Sequence, residues 1–190
     1  MFRNALTGMS SAARHAAAQV RGCRFARAQD GVAAVEFGLV AAPFLALLFA
    51  IIETALVFFA GQSLEAAVAY AGRLVMTGQA YNSGYTQTTF KNAVCTNMPS
   101  FFDCQAKLFV SVENFTKFGD ASTTPPYNSQ GQLDTSKMVY HPGEPGEVIV
   151  VSFFYQWPIY VSLFSNNLAN QNGSNRLLVA TSVFRNEPYK

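Results

Sequence analysis

Histidine occurs only twice, tryptophan once and cysteine three times in these 190 residues. His15 lies near the N-terminus, so His141 is the one imidazole beyond a long apolar run that begins near residue 32. A metal centre built on histidines is therefore not expected, and no Ser/His or Cys/His pair has a base to work with. His141 stands in a Pro/Gly-rich stretch and is read as a solvated loop residue. Gly-rich phosphate loops, HExxH and GxSxG are also missing. Asp103, Glu113, Asp120 and Asp134 are scattered, without the spacing of a carboxylate pair or a calcium loop. The chain is expected to be no enzyme, with no catalytic residue, no metal and no cofactor.

Charge is scarce as well, at 13% of residues, while half are apolar and the mean hydropathy is +0.15. The excess of apolar residues is concentrated. From Phe37 to Gly61 the only charge is Glu53, and these 25 residues exceed the roughly 20 needed to cross a hydrocarbon core. A buried core helix is the alternative, but such helices are usually shorter, so the run is read as a membrane span. Pro43 falls inside it, where membrane helices tolerate proline better than soluble ones.

The flanks of this run are unequal. Arg3, Arg14, Arg21, Arg24 and Arg27 precede it, opposed only by Asp30, whereas residues 62–90 hold Arg73 as their single cation. Positive charge near a span stays cytoplasmic, so the N-terminus is read as inside and residues 62–190 as outside. Eight Lys and Arg balance eight Asp and Glu in that outer part, which gives no basic face for nucleic acid. Cys23 then falls on the reducing side. Cys95 and Cys104 fall together on the exported side, where they most simply form one disulfide; two free buried thiols are the alternative.

The N-terminal arm does not fit an ordinary secretory signal, because its basic region is too extended and its apolar run too long. Arg-rich and acid-poor, it also has the composition of a mitochondrial transit peptide. Composition alone leaves both open. Glu36 adds to the question, since a carboxylate inside an apolar helix is costly, and less so at its edge. At the edge it reaches headgroups or water. If the chain were cut after Gly31, the new amine on Val32 would lie four residues away, on the same helical face. An amine on a neighbouring copy would serve equally. Glu53, farther along the run, is read as a residue that snorkels to the outer headgroups.

The segment "DGVAAVEF" resembles the prepilin-peptidase motif of type IV pilins. The resemblance implies cleavage between Gly31 and Val32, with Glu36 and Phe37 acting in processing and assembly. More widely, "GVAAVEFGLVAAPFLALLFAIIETALVFFAGQSLEAAVAYAGRLV" resembles the TadE-like family, minor pilins of Tad (Flp) pilus systems. Glu53 then corresponds to the family's second membrane carboxylate, and Leu64–Arg73 to its Ala-rich helix. The ending "VFRNEPY" is similar to the family's arginine and Glu-Pro terminus. Gly72-Arg73 stands where many relatives have Ala-Arg, read as a trivial departure. The partners implied are a prepilin peptidase, other minor pilins, the major Flp pilin and the bacterial inner membrane. The function implied is to help initiate or assemble an adhesion pilus, whether the chain stays in the inner membrane or enters the extracellular filament. The competing readings are a signal-anchored periplasmic binding module and, on the transit-peptide composition, a mitochondrial inner-membrane protein.

Downstream patterning predicts an α+β fold, a long N-terminal helix on a small antiparallel sheet. The expected organisation is a basic leader over 1–31, a helix over 32–79 with its membrane part at 37–61, and an exported domain over 80–190. Leu56, Ala60, Leu64, Ala67, Ala71, Leu74 and Gly78 recur at steps of three and four and form one small-residue stripe. Gly78, Asn82, Ser83 and Gly84 are its stop signals. Strands are expected at 108–115, 147–157 and 177–184, and a short helix near 86–94. The segment 116–146 is read as a long loop, functional or mobile. Phe153, Phe154, Tyr155, Trp157 and Tyr160 are read as core and edge packing.

Overall fold

The computed structural model describes residues 31–159 and 175–189; the basic arm and Tyr160 lie outside them. The chain divides into two units, Met1–Leu48 and Phe49–Lys190, with the boundary inside the first helix. That helix, α1, runs over Val32–Met76 and continues through Pro43. It ends earlier than its stripe suggests. Gly78 adopts φ 73°, and the chain restarts as the short α2, Gln79–Asn82. Only a residue without Cβ enters that left-handed conformation cheaply, so the glycine terminates the helix.

In the first unit the described part of α1 is bare, and Phe37, Val40, Phe44 and Leu47 are all exposed. In the second unit Phe49, Ile51 and Ile52 are exposed too, and burial begins at Glu53. From there the buried positions are Val57, Ala60, Leu64, Ala67, Val68, Ala71, Gly72, Leu74 and Val75. Leu56 is not among them. The stripe enters through Val57 instead, because the helical face turned to the core at Ala60 passes through residues three and seven positions before it.

A three-stranded antiparallel sheet, ordered β1-β2-β3, covers this stripe. Its strands are β1 (Leu108–Phe115), β2 (Val148–Pro158) and β3 (Asn175–Arg185). Val110 faces Phe153 across one pair and Ala180 faces Phe153 across the other. Alternate residues of β2, namely Ile149, Val151, Phe153, Tyr155 and Trp157, join the helix stripe in one core. The in-between residue Phe154 packs with Leu177 and Leu133 on the opposite face. This explains why β2 reads as apolar on both sides: the helix covers one face and the segment after β1 folds over the other. That segment carries order of its own. Val112 donates its N–H to Val139 O and His141 N–H donates to Val112 O, so residues 139–141 line the outer edge of β1. An edge that would otherwise offer unpaired backbone groups is partly closed in this way.

Between α1 and β1 lie α3 (Gln87–Thr96) and α4 (Cys104–Lys107). Thr86 and Thr89 form a reciprocal cap at the start of α3, each side chain bonded to the other's backbone N–H. Cys95 and Cys104 are joined in a disulfide with their Cα atoms 5.7 Å apart.

Candidate functional site

The residues singled out by the sequence motif stand at the start of α1. Gly31 is followed directly by Val32, the first helical residue, and nothing lies within 4 Å of where a Cβ on Gly31 would be. Glu36 and Phe37 are one turn in, both exposed, and among the described residues Phe37 is the barest of the large apolar side chains at 75%. Val32 and Glu36 are four positions apart on a helix and share a face. The Gly31–Val32 bond therefore sits where an apolar helix begins, and among the described residues nothing packs on it.

Glu53 behaves differently from Glu36. At 5% exposure it is buried, so it does not snorkel outward as its sequence position suggests. It marks the first helical position at which the sheet-bearing unit closes on α1.

The C-terminal motif has a structural task. Glu187 N–H donates to Met76 O at 3.0 Å and so satisfies one of the free carbonyls at the end of α1. Asn186 is buried, and its amide donates to Pro142 O, Glu144 O and the Tyr189 hydroxyl. The Tyr189 hydroxyl donates onward to Gly143 O, and the Tyr189 ring lies on Gly78, filling the space a Cβ would need. Burial, with Tyr81 and Glu147 nearby, raises the Tyr189 pKa above its ordinary value. The sequence flagged this ending by resemblance only. Its physical signal was Gly78, whose left-handed turn leaves room for an aromatic ring.

A recess of about 330 Å³ opens between α3, β1 and residues 135–138, lined by Gln87, Lys91, Gln105, Phe109, Thr135 and Met138. The Lys91 ammonium donates to Gln105 O at 2.8 Å and stands 5.9 Å over the Phe109 ring. Burial lowers the Lys91 pKa, against the opposing pull of Asp103. Sequence reading missed this recess, because its residues come from three separated segments. Among the described residues no three His, Cys, Asp or Glu side chains gather as a metal site. His141 is exposed beside β1.

Among the described residues α1 is the one helix long and apolar enough to cross a membrane. No curated protein and no solved structure matches the chain. Residues 31–73, from the Gly31–Val32 bond to Arg73, match the family model of the TadE-like proteins.

Proposed function

We propose that this chain is a minor pilin, or pseudopilin, that helps initiate or assemble a Tad (Flp) pilus after a prepilin peptidase removes residues 1–31. One observation carries the reading: the TadE-like segment begins at a bare Gly31–Val32 bond and continues as an exposed apolar helix with Glu36 one turn in. Here the peptidase performs the chemistry and the chain contributes the substrate bond and the helix. The N-terminus is cytoplasmic, the single span lies in the bacterial inner membrane, and the α+β domain is periplasmic. After the cut, the Val32 amine pairs with Glu36 within one helix or between copies, which offsets a charge that apolar surroundings disfavour. Other minor pilins and the major Flp pilin are the partners, met through helix–helix packing.

Intact mass and N-terminal sequencing of the chain from its native host test the processing. A chain beginning at Val32 supports the proposal, and one that retains residues 1–31 overturns it. Glu36→Gln is expected to abolish or sharply reduce assembly, and unchanged piliation would remove the amine–carboxylate pairing from the mechanism.

A second reading is favoured by the recess beside Lys91: a signal-anchored periplasmic module that binds a ligand or secretion partner without entering a filament. Recovery of the chain in sheared filaments supports assembly, whereas recovery in membranes alone supports the binding module.

A further inference from the structure

The eight residues between the two disulfide cysteines form a tether with one large apolar side chain left out. Met98 and Phe102 are buried in the core at 8% and 6% exposure, whereas Phe101 between them is 50% exposed. Phe101 does not stand alone. Its ring lies 4.6 Å from that of Phe102 and 5.5 Å from that of Phe59 on α1. Phe59 and its neighbour Phe58 are exposed as well, at 52% and 72%. Phe59 and Phe101, from two separate segments, thus form one open aromatic pair with Phe58 the next exposed ring on α1, and residues 96–102 contain no charged side chain.

The position of the patch along α1 says what covers it. A span of about 20 residues that opens at Val32 or at Phe37 closes near Ile51 or Leu56. Phe58 and Phe59 then stand two to eight residues farther on, about 3–12 Å at the helical rise per residue. The interfacial layer outside the hydrocarbon is about 5–8 Å deep on each side. Exposed Phe and Leu side chains of surface-bound segments bury at that boundary between headgroups and acyl chains. Lone exposed aromatics such as Phe118 are common on any protein surface and need no partner, but these rings follow directly on the exposed apolar residues Phe49, Ile51 and Ile52 of the same helix.

We propose that the disulfide-closed loop between Cys95 and Cys104 seats the exported domain on the lipid surface, with Phe101 entering the outer interfacial layer beside Phe58 and Phe59. The occupant is a phospholipid bilayer. The disulfide and the two buried anchors, Met98 and Phe102, hold the loop so that Phe101 stays presented. This inference needs the membrane span but not the pilus reading.

The test uses the full chain in phosphatidylcholine/phosphatidylglycerol vesicles, with Trp157→Phe removing the native reporter. Phe101→Trp, Phe44→Trp and Phe118→Trp are introduced singly, and emission is followed with lipids brominated at shallow or deep acyl positions. Phe44→Trp is expected to lose most emission to deep bromines. Phe101→Trp should emit to the blue of Phe118→Trp and lose emission mainly to shallow bromines, while Phe118→Trp is unaffected by either. Reduction of the disulfide should weaken the quenching of Phe101→Trp. An unquenched Phe101→Trp beside a quenched Phe44→Trp overturns the seating while leaving the span intact. If Phe44→Trp is also unquenched, the span itself fails and the seating with it. Shielding of Phe101→Trp that arises only at high protein-to-lipid ratio assigns the patch to a neighbouring copy and also overturns the proposal.

Discussion

Residues 32–52 and residues 53–76 belong to the same helix and are both rich in apolar side chains, yet the first stretch has no buried residue and the second has one or more in every turn. The difference lies in how size and polarity are distributed. In the first stretch large side chains such as Phe37, Leu39, Val40, Phe44, Leu45 and Leu47 point in every direction, the pattern of a helix whose whole circumference must leave water. In the second, Ala60, Ala67, Ala71 and Gly72 line the covered face, while Gln62, Glu65 and Arg73 stand on the exposed one. Small residues let a sheet approach closely, and polar ones mark where nothing does. Apolarity alone therefore does not say which solvent a helix needs; its angular distribution does.

The sharpest way to break the comparison is one substitution made in each stretch. Leu64 is fully buried under the sheet, and Leu64→Ala is expected to cost about 2–5 kcal/mol through lost contacts and a residual cavity. Leu47 is 58% exposed, and Leu47→Ala should leave the sheet-bearing domain within about 0.5 kcal/mol of its starting stability. Denaturant unfolding in detergent, followed by emission of the buried Trp157, measures both. Equal costs would mean that the two stretches do not differ as described.

Replacing Cys95 and Cys104 together by alanine probes the cover rather than the helix. Their short loop should contribute about 2–4 kcal/mol by restricting the unfolded chain. The loss is expected in the unfolding of the domain, with membrane insertion of the first stretch unaffected. Loss of insertion in the double variant would tie the two stretches together.

Gly78 limits the packed stretch at its far end. Gly78→Ala places a Cβ in a left-handed conformation, which costs about 1–2 kcal/mol, and forces it against the Tyr189 ring. The combined loss should exceed the backbone strain alone. Adding Tyr189→Ala should recover the steric part and leave the strain, a coupling that a double-mutant cycle reads directly.

Much of this fold was legible in the sequence. The range of β1 follows from its alternation, and β2 and β3 are displaced by one or two residues at their ends. Leu108, Val110 and Val112 share one face because a strand's period is two, and that face meets the helix. Less legible was the start of the packed stretch. Glu53 reads as a membrane-edge carboxylate because it sits in an apolar run, and only the domain folding back to that level buries it. The segment 116–146 looked featureless since it lacks periodicity, but Leu133 is enough to anchor it across the sheet beside Phe154 and Leu177. The same limit hid the recess at Lys91 and the patch at Phe101, where residues distant in sequence come together. For the start of α1 the sequence motif carried most of the reading, because Gly31, Val32 and Glu36 are local to one another.

Tyr140 examines the packed side by pH. Its ring lies 5.3 Å from that of Phe90, and among the described residues its buried hydroxyl has no hydrogen-bond partner. Burial, with Tyr85 adding to it, pushes its pKa up to about 12 from 10.0. The unfolded chain releases this proton first, so the folded state holds more protons between those values and stability falls as pH rises through that window. Below it the contribution is constant. Tyr140→Phe removes the proton and the unpartnered hydroxyl together, so it should be neutral or slightly stabilising near pH 7. It should also flatten the decline above pH 10 in a series of denaturation midpoints. An unchanged slope would mean that Tyr140 titrates as it does in water.

The finest comparison uses two glycines of α1 in the second unit. Nothing lies within 4 Å of a Cβ built on Gly61, so Gly61→Ala should gain about 0.5–1 kcal/mol from helix propensity alone. At Gly72 the same Cβ would stand 3.0 Å from Phe184 Cε1 and 3.3 Å from Ser182 Oγ. An alanine at position 72 is therefore not a trivial exchange in this chain, because the Phe184 ring must give way by a few tenths of an ångström. Phe184 is only half-buried and has room to move, so Gly72→Ala should fall below Gly61→Ala without reaching the cost of a core cavity. Shrinking the obstacle with Phe184→Leu should bring the two alanines closer together. If Gly72→Ala gains as much as Gly61→Ala in the original background, the close approach of β3 to α1 at this turn does not constrain the helix, and the contrast between its packed and bare faces is weaker than the small-residue stripe implies.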